Sequence, residues 1–394
     1  MNVAVQSINV GLSKKPACWL FLFLFLGCDD APRQQPGALS FEQAARAEAQ
    51  QLDDQAFQLY QRSAELGFTA AIDKTIMLQQ RLQRPSVALA AWWQGLPAGA
   101  VKEQAAQQLG FWDFVGQSAQ QNVLRSLQAS DARECALTVQ PVLSDLRSIK
   151  QWQQLQASWQ QQALSALPIC FATPVLIDSR RLACTEAGRL QCQLKELEPL
   201  VAQSSHPVWL VLGGQGKANY NNGFLLAPQN AEWSLLNHEL SHAFGFIDEY
   251  PLHAAVAADE CQPGRITPNL LFSRQDVEKW REHWQIKQPI ELTPVDSCKA
   301  VGLSAWRPVA SVTSLQHYEY PLPPLYVQLI AKSLQRTAEI LPAQYLLAVE
   351  AKRRGELQTY QMLLRKAAQI GYPAAQQALA KSQVPTESTQ AVVR

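Results

Sequence analysis

Residues 233–250 read WSLLNHELSHAFGFIDEY, and the spacing inside this stretch decides the expected fold. His238 and His242 are four apart, so on a helix of 3.6 residues per turn they stack on one face. Two imidazoles so placed can bind one Zn²⁺ at about 2.0–2.1 Å each and leave room for further ligands. Glu239 stands beside the first histidine, where a carboxylate can take a proton from water activated by the metal. Leu235, Leu236, Leu240, Ala243 and Phe244 give the helix an apolar stripe, and no Pro or Gly interrupts 231–244. Gly245 supplies a stop, because a left-handed position after a helix is cheap only for glycine. Asp248 follows at a distance where a chain reversing at Gly245 can bring a third ligand back to the metal. The chain has only six histidines. Two of them at ligand spacing, with Glu239, Gly245 and the acidic pair Asp248-Glu249 all well placed, argue against coincidence. Glu260 is the rival third ligand, and Glu249 is expected to orient a ligand from behind. His206, His253 and His283 have no partner at ligand spacing and read as surface or loop residues.

The pattern resembles the metzincin signature H-E-x-x-H-x-x-G-x-x-H/D, with Asp248 in the third ligand's place. More closely, His238 to Tyr250 is similar to the signature of the IgA-peptidase-type family, H-E-x-x-H-x-F-G-x-x-D-E-Y. The resemblance covers the motif and, more loosely, residues 135–330. It implies an α+β zincin (metzincin-like) domain, which with the repeats described below gives an expected fold of that domain with flanking all-α helical-repeat segments. It also implies His238, His242 and Asp248 as zinc ligands and Glu239 as catalytic base. Metzincins place a methionine-containing turn beneath the metal, but the methionines here are Met1, Met77 and Met362. Leu315, in Ser311-Val312-Thr313-Ser314-Leu315, is expected to fill that place and keep the floor apolar. Farther along, His317, Tyr318 and Tyr320 offer groups able to donate a hydrogen bond to a developing oxyanion. His317 and Tyr318 are therefore candidate catalytic residues.

At the start of the chain, Lys14 and Lys15 precede the apolar run Ala17–Leu26, which is short for a membrane span of about 20 residues. Its layout is that of a secretory signal. The ending Leu26-Gly27-Cys28 resembles a bacterial lipobox, which implies a signal peptide over 1–27 and lipidation of Cys28. Phe25 departs from that pattern. An ordinary signal peptide or a short anchor is the alternative. Asp29 resembles the signal that retains lipoproteins at the inner membrane, with the outer membrane as the alternative destination. Residues 28–40 are expected to be a tether. An exported chain with six further cysteines is expected to hold disulfides. Chain proximity favours Cys184 with Cys192 and Cys261 with Cys298. Metal binding by these thiols is disfavoured, because none shows C-x-x-C spacing. Net charge is +1, without the basic footprint that nucleic-acid binding requires.

Residues 41–130 are rich in Ala, Gln and Leu with helical periodicity. The segment Arg62–Ala71 (RSAELGFTAA) matches Lys366–Ala375 (KAAQIGYPAA). Both resemble SEL-like helix-turn-helix repeats, in which glycine turns the chain between paired helices. A helical-repeat region over 331–382 and a tail over 383–394 follow from this. The repeats are expected to pack together or against the middle domain. Trp92-Trp93 and Phe111-Trp112 read as core residues in preference to the lining of a peptide groove. Between them the chain is expected to form a helix over Ile149–Leu167, a strand over Pro174–Ile177 and a helix over Glu186–Leu200. A buried strand over Pro207–Leu212 should stop at Gly213-Gly214, and a short strand over Gly223–Ala227 should precede the metal helix. An edge strand there could pair with an extended substrate. Ala254–Pro268 reads as loop and Ser273–Trp284 as helix.

These features define an expected zinc metallopeptidase, anchored in the bacterial cell envelope and cleaving peptide bonds of envelope or extracellular proteins. Cell-wall peptide crosslinks are a further possible target. The alternative is a binding or scaffold lipoprotein whose repeats hold a partner protein while the zincin domain is inactive or structural.

Overall fold

The computed structural model describes residues 35–82, 86–127, 134–185 and 187–383. The signal peptide, Cys28 with Asp29, most of the tether and the residues after 383 lie outside them. No helix among the described residues is long and apolar enough to cross a membrane.

The chain is mixed α and β. Six helices come first: α1 (Ala38–Ala49), α2 (Asp53–Glu65), α3 (Ala70–Arg81), α4 (Ser86–Gly95), α5 (Ala100–Leu109) and α6 (Gln117–Arg125). Helix α1 thus begins inside the expected tether. The middle of the chain follows as β1 (Leu137–Leu143), α7 (Leu146–Ser158), β2 (Ile169–Phe171), β3 (Val175–Leu176), α8 (Ser179–Leu182) and α9 (Glu198–Gln203). Next come β4 (Val208–Leu212), β5 (Asn219–Asn221), β6 (Phe224–Ala227) and α10 (Trp233–Ala243). Beyond the motif lie α11 (Ala254–Glu260), α12 (Val277–Trp284), β7 (Thr293–Val295), β8 (Ala305–Arg307) and α13 (Pro324–Ser333). Helices α14 (Ala343–Arg353), α15 (Leu357–Gln369) and α16 (Pro373–Gln383) end the described chain.

The main sheet runs β2-β1-β4-β6-β5, with β3 continuing the β2 side of β1. All its pairs are parallel except β5 with β6, so an antiparallel edge strand closes one side. Strand β4 is apolar throughout because both faces are covered. Its Val208, Leu210 and Leu212 join the core that holds α7 and α10, whereas Trp209 and Val211 face α9, α14 and α15. Strand β6 alternates in step, with Leu225 and Ala227 on the first face and Phe224 and Leu226 on the second. Helix α10 is thereby laid against a sheet buried on both faces.

The two matched segments form the same turn. In one, Gly67 N–H donates to Ala64 O at 2.9 Å and Phe68 N–H to Ser63 O at 3.1 Å. In the other, Gly371 donates to Ala368 O at 3.0 Å and Tyr372 to Ala367 O at 3.1 Å. Both glycines have positive φ, 91° and 95°, where a Cβ would be strained. The two helical regions pack on different parts of the middle domain rather than on each other. Helices α14 and α15 cover one sheet face, while the N-terminal helices join the opposite core. Trp112 Nε1 donates to Ser144 O at 3.0 Å, just past β1. Trp92, Trp93, Phe111 and Trp112 are all buried, as core residues should be.

Several expected boundaries move. The helix at 149 ends at Ser158 and gives way to short 3₁₀ turns before β2. The helix expected from Glu186 starts only at Leu194, because 184–192 is held as a loop by the Cys184–Cys192 disulfide. Residues 254–260, expected as loop, form α11. Three disulfides are present: Cys135–Cys170, Cys184–Cys192 and Cys261–Cys298. The last joins the end of α11 to the turn at 296–298. That turn also receives Asp248, whose carbonyl accepts from Ser297 Oγ at 2.7 Å. Replacing Cys261 and Cys298 together by Ser should lower unfolding stability by about 2–4 kcal/mol, read as a shifted urea midpoint.

Candidate metal centre

Helix α10 ends as the sequence requires. Gly245 has φ 82°, and Phe246 N–H returns to Ser241 O at 3.3 Å while Gly245 N–H bonds His242 O at 3.0 Å. This closure satisfies the last carbonyls and turns the chain back toward the histidines. His238 and His242 stand at right angles, with ring centroids 5.0 Å apart.

Each imidazole is held from behind. His238 Nδ1 lies 2.6 Å from Ser314 O, and His242 Nδ1 lies 2.9 Å from Phe246 O. A nitrogen facing a carbonyl oxygen must carry the proton, so each Nε2 turns a lone pair inward. Asp248 Oδ1 meets those lone pairs, 3.2 Å from His238 Nε2 and 3.4 Å from His242 Nε2. That oxygen is buried and has no hydrogen-bond partner. Three electron-rich atoms therefore converge on one point, an arrangement that only a cation or added protons can stabilise. One Glu239 carboxylate oxygen lies within 4.8 Å of both histidine nitrogens.

The electrostatics follow from this crowding. Burial opposes charge on His242, yet the Asp248 carboxylate, which accepts from Nε2 once that nitrogen is protonated, prevails and pushes its pKa up to about 9. Burial works to raise Asp248, but the two imidazoles hold it well below the usual carboxylate range. Burial pushes Glu239 up against the pull of His242 and His238.

Glu249 points the opposite way from Asp248, into the core. Its carboxylate accepts from Thr313 Oγ1 at 2.7 Å, Asn269 Nδ2 at 3.1 Å and Arg307 Nη1 at 3.4 Å, and from the Tyr326 hydroxyl. Its backbone N–H donates to Leu315 O at 2.9 Å. Leu315 is fully buried and next to Ser314, whose carbonyl holds His238. Glu249 thus fixes both the loop that carries Asp248 and the turn that orients His238.

A cleft of roughly 850 Å³ opens on the centre. His238, Glu239, His242, Asp248 and Tyr250 line it, as do the residues around β5. Tyr250, to which the sequence reading gave no role, donates its hydroxyl to Asp248 Oδ2 at 2.7 Å. Its neighbourhood to Asp248 was visible in the sequence, but the direction of its side chain was not. His317 and Tyr318 are exposed and are not among the residues lining the cleft. Glu260 borders the cleft, and its carboxylate pairs with Arg265 at 2.8 Å. Compared with known proteins, the chain matches no family model, no curated protein and no solved structure.

Removing Glu249 leaves the Thr313 and Tyr326 hydroxyls buried without their acceptor and Arg307 without its carboxylate. Glu249→Ala should cost about 3–5 kcal/mol in a denaturant titration. A pH effect follows from His242. Its folded pKa is raised, so its contribution is complete below about 6.5 and is lost as pH rises through about 9. Chelator-treated protein should lose melting temperature between these values, and His242→Gln should flatten that slope.

Proposed function

We propose that the chain is a metal-dependent peptidase, with His238, His242 and Asp248 holding Zn²⁺ and Glu239 acting as general base. The reading rests on one observation: the orphaned, buried Asp248 Oδ1 between two Nε2 atoms whose Nδ1 partners are already committed. Two imidazoles and a carboxylate are a donor set suited to zinc with an open position. When bound, the metal supplies Lewis acidity to the scissile carbonyl and to the attacking water.

The protein's own groups do the rest. Glu239 takes the water's proton at its carboxylate and passes it to the leaving amine. Tyr250 keeps Asp248 turned inward through Oδ2 and presents its phenol ring to the cleft. The edge strand β5 pairs with β6 on one side only and lines the same cleft, so an extended peptide can add along it. These features also suit the α+β zincin architecture that the motif resembles. Three disulfides favour an oxidising compartment, in keeping with an envelope protein anchored through Cys28.

Glu239→Gln should retain zinc, measured by plasma emission, while peptide hydrolysis falls by about 10²–10⁴-fold. Asp248→Ala should lose zinc as well as activity. Full turnover in the Glu239 variant would refute the reading.

A further inference from the structure

The cleft carries two positive charges that the chemistry above does not use. Arg189 and Lys217 both line it and both are exposed. Other arginines bordering the cleft are neutralised: Arg265 by Glu260 at 2.8 Å and Arg336 by Glu339 at 3.8 Å. Among the described residues, no carboxylate pairs with Arg189 or Lys217, and neither guanidinium nor ammonium has a hydrogen-bond partner.

Their placement is built. Residues 189 and 217 form a parallel bridge, with Leu190 N–H donating to Lys217 O at 2.9 Å and Lys217 N–H to Gly188 O at 2.7 Å. Paired residues on neighbouring strands lie about 5 Å apart and point to the same face, so both basic side chains leave the backbone on one side. The Cys184–Cys192 disulfide closes the loop beneath Arg189. Thr185 secures it further, its N–H donating to Gln191 O at 2.8 Å and its carbonyl accepting from Gln215 N–H at 3.0 Å. Asn219, the first residue of β5, donates its side chain to Leu190 O at 2.8 Å. The pair thus sits at the start of the strand along which a peptide would lie. Arg189 is also near enough for its charge to act on Glu239 and Tyr250.

We propose that Arg189 and Lys217 form an anion subsite that selects peptides carrying a carboxylate close to the scissile bond. The carboxylate comes from an Asp or Glu side chain or from the substrate's C-terminus. This rests on the peptidase reading. A planar guanidinium grips a carboxylate through two parallel hydrogen bonds, and the adjacent ammonium adds a second charge.

The test uses zinc-loaded full-length protein and three matched peptide sets: amidated peptides with an internal Asp or Glu, neutral peptides with a free C-terminus, and neutral amidated peptides. One carboxylate set should exceed the neutral amidated set in kcat/KM by about 10- to 100-fold, and which set does so identifies the source. Arg189→Glu with Lys217→Glu should drive that ratio below one and favour Lys-containing peptides. A ratio near one in the wild type, or a preference that survives the charge reversal, overturns the subsite. If the wild type cleaves nothing, the peptidase reading fails by itself. The same peptides, fluorescently labelled, are then titrated onto the Glu239→Gln protein. Tighter binding of the carboxylate peptides, abolished by charge reversal, upholds the subsite, and equal binding of all three sets overturns it.

Discussion

Asp248 and Glu249 are neighbours with opposite duties, and the centre depends on the second to place the first. Glu249 is buried to 1% exposure and satisfied by four side chains from four separate parts of the chain. A buried carboxylate with fewer partners would be strongly unfavourable. Its need for all of them pins the 247–249 loop against Asn269, Arg307, Thr313 and Tyr326 at once. With Glu249 turned inward, Asp248 is left facing the histidines. Asn269 reinforces this by bonding both Ile247 N–H at 2.9 Å and Ile247 O at 2.7 Å.

The same knot fixes the turn that carries Leu315, the residue expected from the resemblance to stand in for a methionine. Leu315 is held by Thr313 Oγ1 at 3.1 Å and by the Glu249 N–H, so backbone bonds set the turn's position. Its side chain only has to fill an apolar space, and Leu and Met are close in volume. The contact the histidine uses is the Ser314 carbonyl, which any residue supplies.

Local patterns were legible in the sequence, and long-range partners were not. The histidine pair, Gly245 and the return of Asp248 follow from helix periodicity and one turn. Strands β4 and β6 were legible because burial on both faces writes a continuous apolar run. Strand β1 was missed, since Gln140-Pro141 interrupts its pattern. In the sheet, β1 pairs with β2 up to Val139 and with β3 from Val142. Pro141, which has no N–H to donate, therefore sits where that side of the ladder is broken. Gln140 fills the gap by donating to Thr173 O at 2.8 Å. The partners of Glu249 and the pairing of Arg189 with Lys217 join residues far apart in the chain. No spacing rule encodes them.

The sheet's covering also decides where a ligand can approach. One face is taken by α7 and α10 and the other by α9, α14 and α15, so only the edges remain. At one edge β2 is three residues long, tied by Cys135–Cys170, and its line breaks before β3. A short, interrupted edge is a poor template for a further strand. At the other, β5 lies beside α10, and the Arg189–Lys217 bridge and the Asn219 side chain on Leu190 O fall at or before its first residue. The C-terminal helices thus have a consequence for the site although they do not reach it. By sealing the far face, they leave the strand beside the histidines as the sheet's accessible pairing surface.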